Sequence, residues 1–224
     1  MNTPIGGQRG AWGKTAASGS SRRWRQLRLA ATAAFLVAVL AGCVTAVKVE
    51  SGQHAVGQRL VFNLEGPWNQ IKLPNAGLAE IWTMEGLPVD QLLVYSGLKD
   101  GEDLNAATAA GPMQGQKRSF TFKSGMQPEQ IVQLFEGMFT RDGSTFALTK
   151  LEPASFGGSH GFRFEYGLTR KVDNVQLSGL GFVAVDKGEL FAIVYLAPRL
   201  TFFPRHVARV QQMAGSAIIR HGSS

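Results

Sequence analysis

Between residues 145 and 196 four apolar runs follow one another with only short turns between them: Thr145–Leu151, Phe162–Leu168, Val175–Val185 and Leu190–Leu196. Strands joined this closely run antiparallel, because a parallel crossover needs a dozen or more residues. Asp186-Lys187-Gly188-Glu189 reads as the hairpin connection of the last pair. The same signals recur upstream. Arg59–Leu64 reads as a strand stopped by Gly66-Pro67, and Glu80–Met84 and Gln91–Tyr95 pair around a Gly86-Leu87-Pro88 turn. Lys99–Asp103 is a charged turn, Asn105–Gln116 a loop rich in Ala, Gly and Pro, and Arg118–Lys123 alternates like a half-buried strand.

Two helices complete the pattern. Pro128 is pre-set for a first helical position, and Ile131, Leu134, Phe135 and Met138 then share one face until Arg141-Asp142-Gly143. Pro204 opens the second, whose stripe is Phe203, Val207, Val210, Ala214 and Ala217. The expectation is an α+β fold: an antiparallel sheet of about six to eight strands with both amphipathic helices packed on one face. Phe120, Phe122, Phe135, Phe146, Phe162, Phe164, Phe182, Phe191 and Trp82 fall at core positions of these elements. The order of elements, closed by Tyr195-Leu196-Ala197-Pro198 and Phe202-Phe203 before a terminal helix, is similar to the PsbP-like family and its periplasmic lipoprotein relatives. That resemblance implies an antiparallel sheet flanked by helices and supplies no catalytic residues.

The beginning of the chain is of another kind. Residues 1–20 are rich in Gly and Ser; Arg22, Arg23, Arg25 and Arg28 then precede nineteen uncharged residues, Leu29 to Val47. A basic segment, an apolar segment and small residues make the layout of a secretory signal. Three readings fit it: a cleaved lipoprotein leader, an uncleaved membrane anchor of close to the ~20 residues that cross a bilayer, and a leader removed to free a soluble product. Leu40-Ala41-Gly42-Cys43 favours the first, because it resembles the lipobox of bacterial lipoproteins. The resemblance implies recognition of Leu40, Ala41 and Gly42 by a signal peptidase, cleavage before Cys43, and lipid on the Cys43 thiol. Ser21-Arg22-Arg23 resembles a twin-arginine signal but lacks its following hydrophobic pair, so the general export route is expected. Val44 stands where an Asp would mark inner-membrane retention, which points to the periplasmic face of the outer membrane. The organisation expected is therefore a signal peptide over 1–42, a lipidated cysteine and tether over 43–57, and one α+β domain over 58–224.

Charge follows the same division. Residues 1–42 hold six basic residues and no acid, leaving seventeen of the 23 basic residues against all 16 acidic ones. The near-neutral remainder has no electrostatic footprint for nucleic acid. Cys43 is the one cysteine, so no internal disulfide can form.

Searches for chemistry return little. Gly157-Gly158-Ser159-His160-Gly161 fits G-x-S-x-G, with Asp173 or Asp186 and then His206 in the order of a hydrolase triad. That motif needs a strand-to-helix turn, and the strand pattern Phe162–Tyr166 follows instead. The motif is read as a glycine turn. His54, His160, His206 and His221 have no ligand spacing for zinc, and His206 is expected on a solvated first turn. Asp100, Glu102 and Asp103 lack the spaced oxygens of a calcium loop. No metal or cofactor is expected. Trp68, Asn69 and Gln70, placed in a loop, read either as a binding edge or as a cap on the sheet end.

Three functions follow. The first is a membrane-anchored, non-enzymatic binding or assembly module with an envelope-protein partner. The second is a small-ligand carrier or sensor with a pocket beside the 105–116 loop. The third and weakest is a serine hydrolase using Ser159.

Overall fold

In a computed structural model the described residues are 45–73, 77–104 and 120–221. The leader, Leu40, Ala41, Gly42 and Cys43, and the 105–116 loop lie outside the described residues.

The run Leu190–Ala197 settles the architecture. It lies in β10 (Glu189–Pro198) and is buried along its whole length. Alternate side chains of a strand point to opposite faces, so both faces of the sheet must be covered. Leu190, Ala192, Val194 and Leu196 join one core with Ile131, Phe135 and Met138 of α1 (Pro128–Phe139). Phe191, Ile193, Tyr195 and Ala197 join a second core with Val210, Met213 and Ala214 of α2 (Phe202–Gly215). The helices thus sit on opposite faces, and the expectation that both share one face is corrected. A strand apolar on both sides leaves neither face to solvent.

Among the described residues every ladder is antiparallel, as the short turns require. The main sheet has eight strands in the order β1-β4-β5-β6-β10-β9-β8-β7. Its members are β1 (Thr45–Val49), β4 (Trp68–Lys72), β5 (Glu80–Thr83), β6 (Gln91–Leu98), β10, β9 (Gln176–Asp186), β8 (Ser159–Thr169) and β7 (Thr145–Phe156). A small sheet, β11-β3-β2, is built from β2 (Gly52–Val56), β3 (Leu60–Leu64) and β11 (Ile218–Ile219), and shares the second core with α2. The tether expected up to residue 57 gives way to two strands: β1 enters the main sheet against β4 and β2 enters the small one. Of the strand expected at 118–123, the described part from Phe120 onward shows a single bridge, Asp103↔Thr121, with Phe120 and Phe122 buried beside it.

Two close approaches fix how β8 meets β9. Phe164 lies opposite Gly181 and Tyr166 opposite Gly179. A Cβ on Gly181 would lie 2.1 Å from Phe164 Cε1, and one on Gly179 2.0 Å from Tyr166 Cζ. The rings lie flat across the neighbouring strand, where only glycine leaves room. Tyr166 then stacks on Phe146 and Phe139, at centroid distances of 4.7 and 5.6 Å, which locks α1 and β7 to this part of the sheet. β7 is a long edge strand. Pro153, the irregularity between Leu148 and Lys150, and the charges of Lys150 and Glu152 hinder pairing with another chain.

Candidate functional site

β5 ends at Thr83 and β6 starts at Gln91; the turn between them, at one end of the sheet, is organised by one buried carboxylate. Asp90 is 1% exposed and accepts hydrogen bonds from the Thr83 hydroxyl, from Met84 N–H at 3.0 Å and from Glu85 N–H at 2.8 Å. Thr83 Oγ1 accepts in turn from Gly86 N–H at 2.8 Å. Gly86 has φ 107°, a conformation that costs glycine nothing and strains other residues.

From outside, the turn is braced on both faces of the sheet. On the α2 side, Glu85 Oε1 accepts from His206 Nε2 at 2.8 Å and from Arg205 Nη1 at 3.2 Å. On the α1 side, the Pro88 carbonyl accepts from Arg170 Nη1 at 2.8 Å, and the same guanidinium grips Asp173 at 2.9 and 2.7 Å. The His206 hydrogen bond holds the Glu85 carboxyl below its usual range against some desolvation, and Arg205 adds to the lowering. Burial pushes the Tyr195 phenol well up, with Asp90 and Glu85 adding in the same direction, so it stays neutral. Asp90 spends its oxygens on the turn and the imidazole is 5% exposed. The arrangement holds a shape.

What it shapes is a cleft. On the α1 side, about 60 Å³ of space lies between Leu87, Phe139, Leu168, Leu177 and Leu196, with Gln91 and Arg141 also on its wall. Gln91 is 4% exposed, and its Nε2 has no hydrogen-bond partner among the described residues. A second hollow of about 110 Å³ lies among Leu78, Tyr95, Gly97, Leu98 and Glu102; the Tyr95 hydroxyl donates to the carbonyl of Leu104, just before the 105–116 segment.

The sequence candidates fall elsewhere. Trp68, Asn69 and Gln70 open β4 and occupy no loop. Trp68 is fully buried with its ring edge-on to Tyr195 at 6.4 Å, and Gln70 Nε2 donates to Glu80 at 2.7 Å. Trp68 therefore packs the second core and presents no face for binding. Ser159 begins β8, a strand and not a helix. Its hydroxyl donates to Asp186 Oδ1 at 2.9 Å, and His221 Nδ1 stands 3.4 Å from Asp186 Oδ2. The carboxylate lies between serine and imidazole, whereas activation of a serine requires the imidazole in the middle. His206, the triad histidine of that reading, belongs to Glu85. Asp100 and Glu102 cap backbone N–H groups of Ser124 and Lys99. Among the described residues no group of three or more His, Cys, Asp or Glu side chains is placed to hold a metal, and no helix is long and apolar enough to cross a membrane.

His206 and Asp90 were missed as structural centres. For His206 a signal existed: it lies four residues before Val210 and belongs to the buried set His206, Val210, Met213 and Ala214. The true stripe of α2 is rotated from the expected one, which places His206 inside and leaves Phe203 and Val207 half-buried.

Against known proteins, no family model and no curated sequence matches the chain. Among solved structures, CyanoP, the cyanobacterial PsbP of Synechocystis sp. PCC 6803, aligns with a TM-score of 0.50 over 81% of this chain and 96% of its own, at 14% identity. The fold is PsbP-like. The Ran-binding protein Mog1p of Saccharomyces cerevisiae aligns with a TM-score of 0.44 at 8% identity, over 79% of this chain and 96% of its own. LpqN of Mycobacterium tuberculosis, involved in cell envelope biogenesis, follows (TM-score 0.39, 10% identity, 80% and 92%).

Proposed function

We propose that the chain is a bacterial envelope lipoprotein, tethered through lipid on Cys43, whose PsbP-like body is a non-enzymatic binding or assembly module. The observation that carries the anchor is the joint pattern of Arg22–Arg28, the apolar run and Leu40-Ala41-Gly42-Cys43. Thr45, two residues after the lipid-bearing position, already lies in β1. Two or more acyl chains anchor stably where one does not, so full processing would keep the body on its membrane. Val44 supports the periplasmic face of the outer membrane as its location.

For the body, the supporting observation is that the buried polar groups at the end of the sheet brace a turn. The cleft beside Gln91, about 60 Å³, is small beside the ~300–1,000 Å³ of ordinary small-molecule sites and suits a single side chain of a partner. Mass spectrometry of protein recovered from membranes is expected to find an acylated Cys43 as the first residue, and Cys43→Ser to leave unlipidated precursor. A native chain with residues 1–42 intact and a bare thiol would sink the anchor.

A further inference from the structure

The cleft stands at the base of two turns that carry the most exposed large apolar side chains among the described residues. Val172, in the β8–β9 turn, and Leu200, between β10 and α2, are each 83% exposed. Arg199 N–H donates to the Gln176 carbonyl at 2.9 Å, which ties the second turn to the strand that the first one enters. Each tip has a cation before it in sequence, Lys171 before Val172 and Arg199 before Leu200. The acids of this end are engaged: Glu85 with His206 and Arg205, Asp173 with Arg170, Asp90 with the turn, and Asp142 Oδ1 with Ser144 N–H. Among the described residues Lys171 and Arg199 have no ion-pair partner, so the rim of the cleft is apolar and positively charged.

We infer that this end of the sheet, the cleft with the Lys171-Val172 and Arg199-Leu200 tips, docks an acidic segment of a partner protein that seats one apolar side chain in the cleft. Three observations choose a protein over a bilayer. The cleft, sized for a single side chain, is the form of an interface pocket that receives an anchor residue. Gln91 Nε2 on its wall is a buried donor with no partner, suited to a main-chain carbonyl beside that anchor. The Leu200 tip also follows β10, four strands across the sheet from β1, and the Val172 tip joins β8 to β9, six and five strands across, about 20 and 25 Å away at the usual strand spacing. The unpaired cations set the sign of the partner's charge and make the encounter sensitive to salt. The inference rests on the binding-module half of the proposed function; of its supports only the distance from β1 depends on the lipid.

The test uses the full chain in its native cells, with Val172 or Leu200 replaced by the photo-crosslinker benzoylphenylalanine, and Lys150 on β7 replaced as a control. Both tip positions are expected to crosslink one and the same protein, through a segment rich in Asp and Glu, while position 150 does not. With that protein purified, Lys171→Glu with Arg199→Glu is expected to weaken binding at least tenfold at low salt and much less at high salt, with the thermal midpoint unchanged. Adducts to lipid, together with anionic phosphatidylglycerol vesicle binding that the same substitutions abolish, would overturn the proposal in favour of the bilayer. Adducts to a second copy of the chain, equal labelling at position 150, or no adduct at either tip would overturn it as well. A bare Cys43 beside specific tip adducts would remove the anchor and leave this surface standing; acylated Cys43 without tip adducts would do the reverse.

Discussion

Asp90 shows how much one buried carboxylate can organise. Removing it as Asp90→Ala leaves the Thr83 hydroxyl and the N–H groups of Met84 and Glu85 without their acceptor. A buried donor left unmet costs ~1–3 kcal/mol, and water can reach part of this turn, so the expected loss is about 3 kcal/mol in urea unfolding. A loss below about 1 kcal/mol on the same scale would mean that the turn does not depend on it. Glu85 makes the same turn sensitive to pH. Its carboxyl is lowered in the folded chain, chiefly by the His206 hydrogen bond, and a depressed carboxyl contributes stability above its unfolded value and loses it as pH falls through the folded one. The thermal midpoint is therefore expected to drop on acidification below about pH 4.5, the ordinary value for this group. Glu85→Gln should flatten that part of the profile, and equal acid slopes for the two proteins would refute the assignment.

At the level of elements, strands were readable wherever period and turn chemistry agreed. Thr145–Leu151, Phe162–Leu168, Val175–Val185 and Leu190–Leu196 all reappear, the third shifted by one residue and the other three longer than read, because hairpin ladders extend pairing past the apolar stretch. What the sequence withheld was which face each element covers. Leu190–Ala197 carried that answer, since an unbroken apolar strand needs two covers, but a one-sided helix pattern does not say which face it serves. β4 was illegible because Trp68-Asn69-Gln70-Ile71 does not alternate cleanly, and its two amides resemble loop composition. β11 has two residues, too few for any pattern. The aromatic-over-glycine contact between β8 and β9 yields a direct test. Gly181→Ala places a methyl group 2.1 Å from Phe164 Cε1, and overpacking of this kind costs about 1–3 kcal/mol. In a Phe164→Leu background the same change should cost less, because the ring that must move is gone; a double-mutant cycle with no coupling would show that the ring yields freely.

For the whole molecule, the consequence concerns height above a membrane. The candidate site was not legible in the sequence because it joins Thr83–Gln91, Leu168–Leu177, Leu196–Leu200 and His206, brought together only by sheet order. The anchor was legible because it is local in the chain. If Cys43 bears the lipid, the two-residue step to Thr45 can reach at most about 7 Å, so the body is expected to rest close to the headgroups. Inserting ten Gly/Ser residues between Val44 and Thr45 adds a flexible spacer with a reach of about 17 Å. Neutron reflectometry of the lipidated protein on a supported bilayer is expected to show the wild-type layer in contact with the headgroups, and a hydrated gap of that order only in the inserted variant. A partner embedded in the same membrane would then lose tip-dependent crosslinking in the inserted variant, whereas a partner that is free in solution would keep it. A wild-type layer already standing off by a comparable distance would show that β1 does not dock as its register with β4 requires.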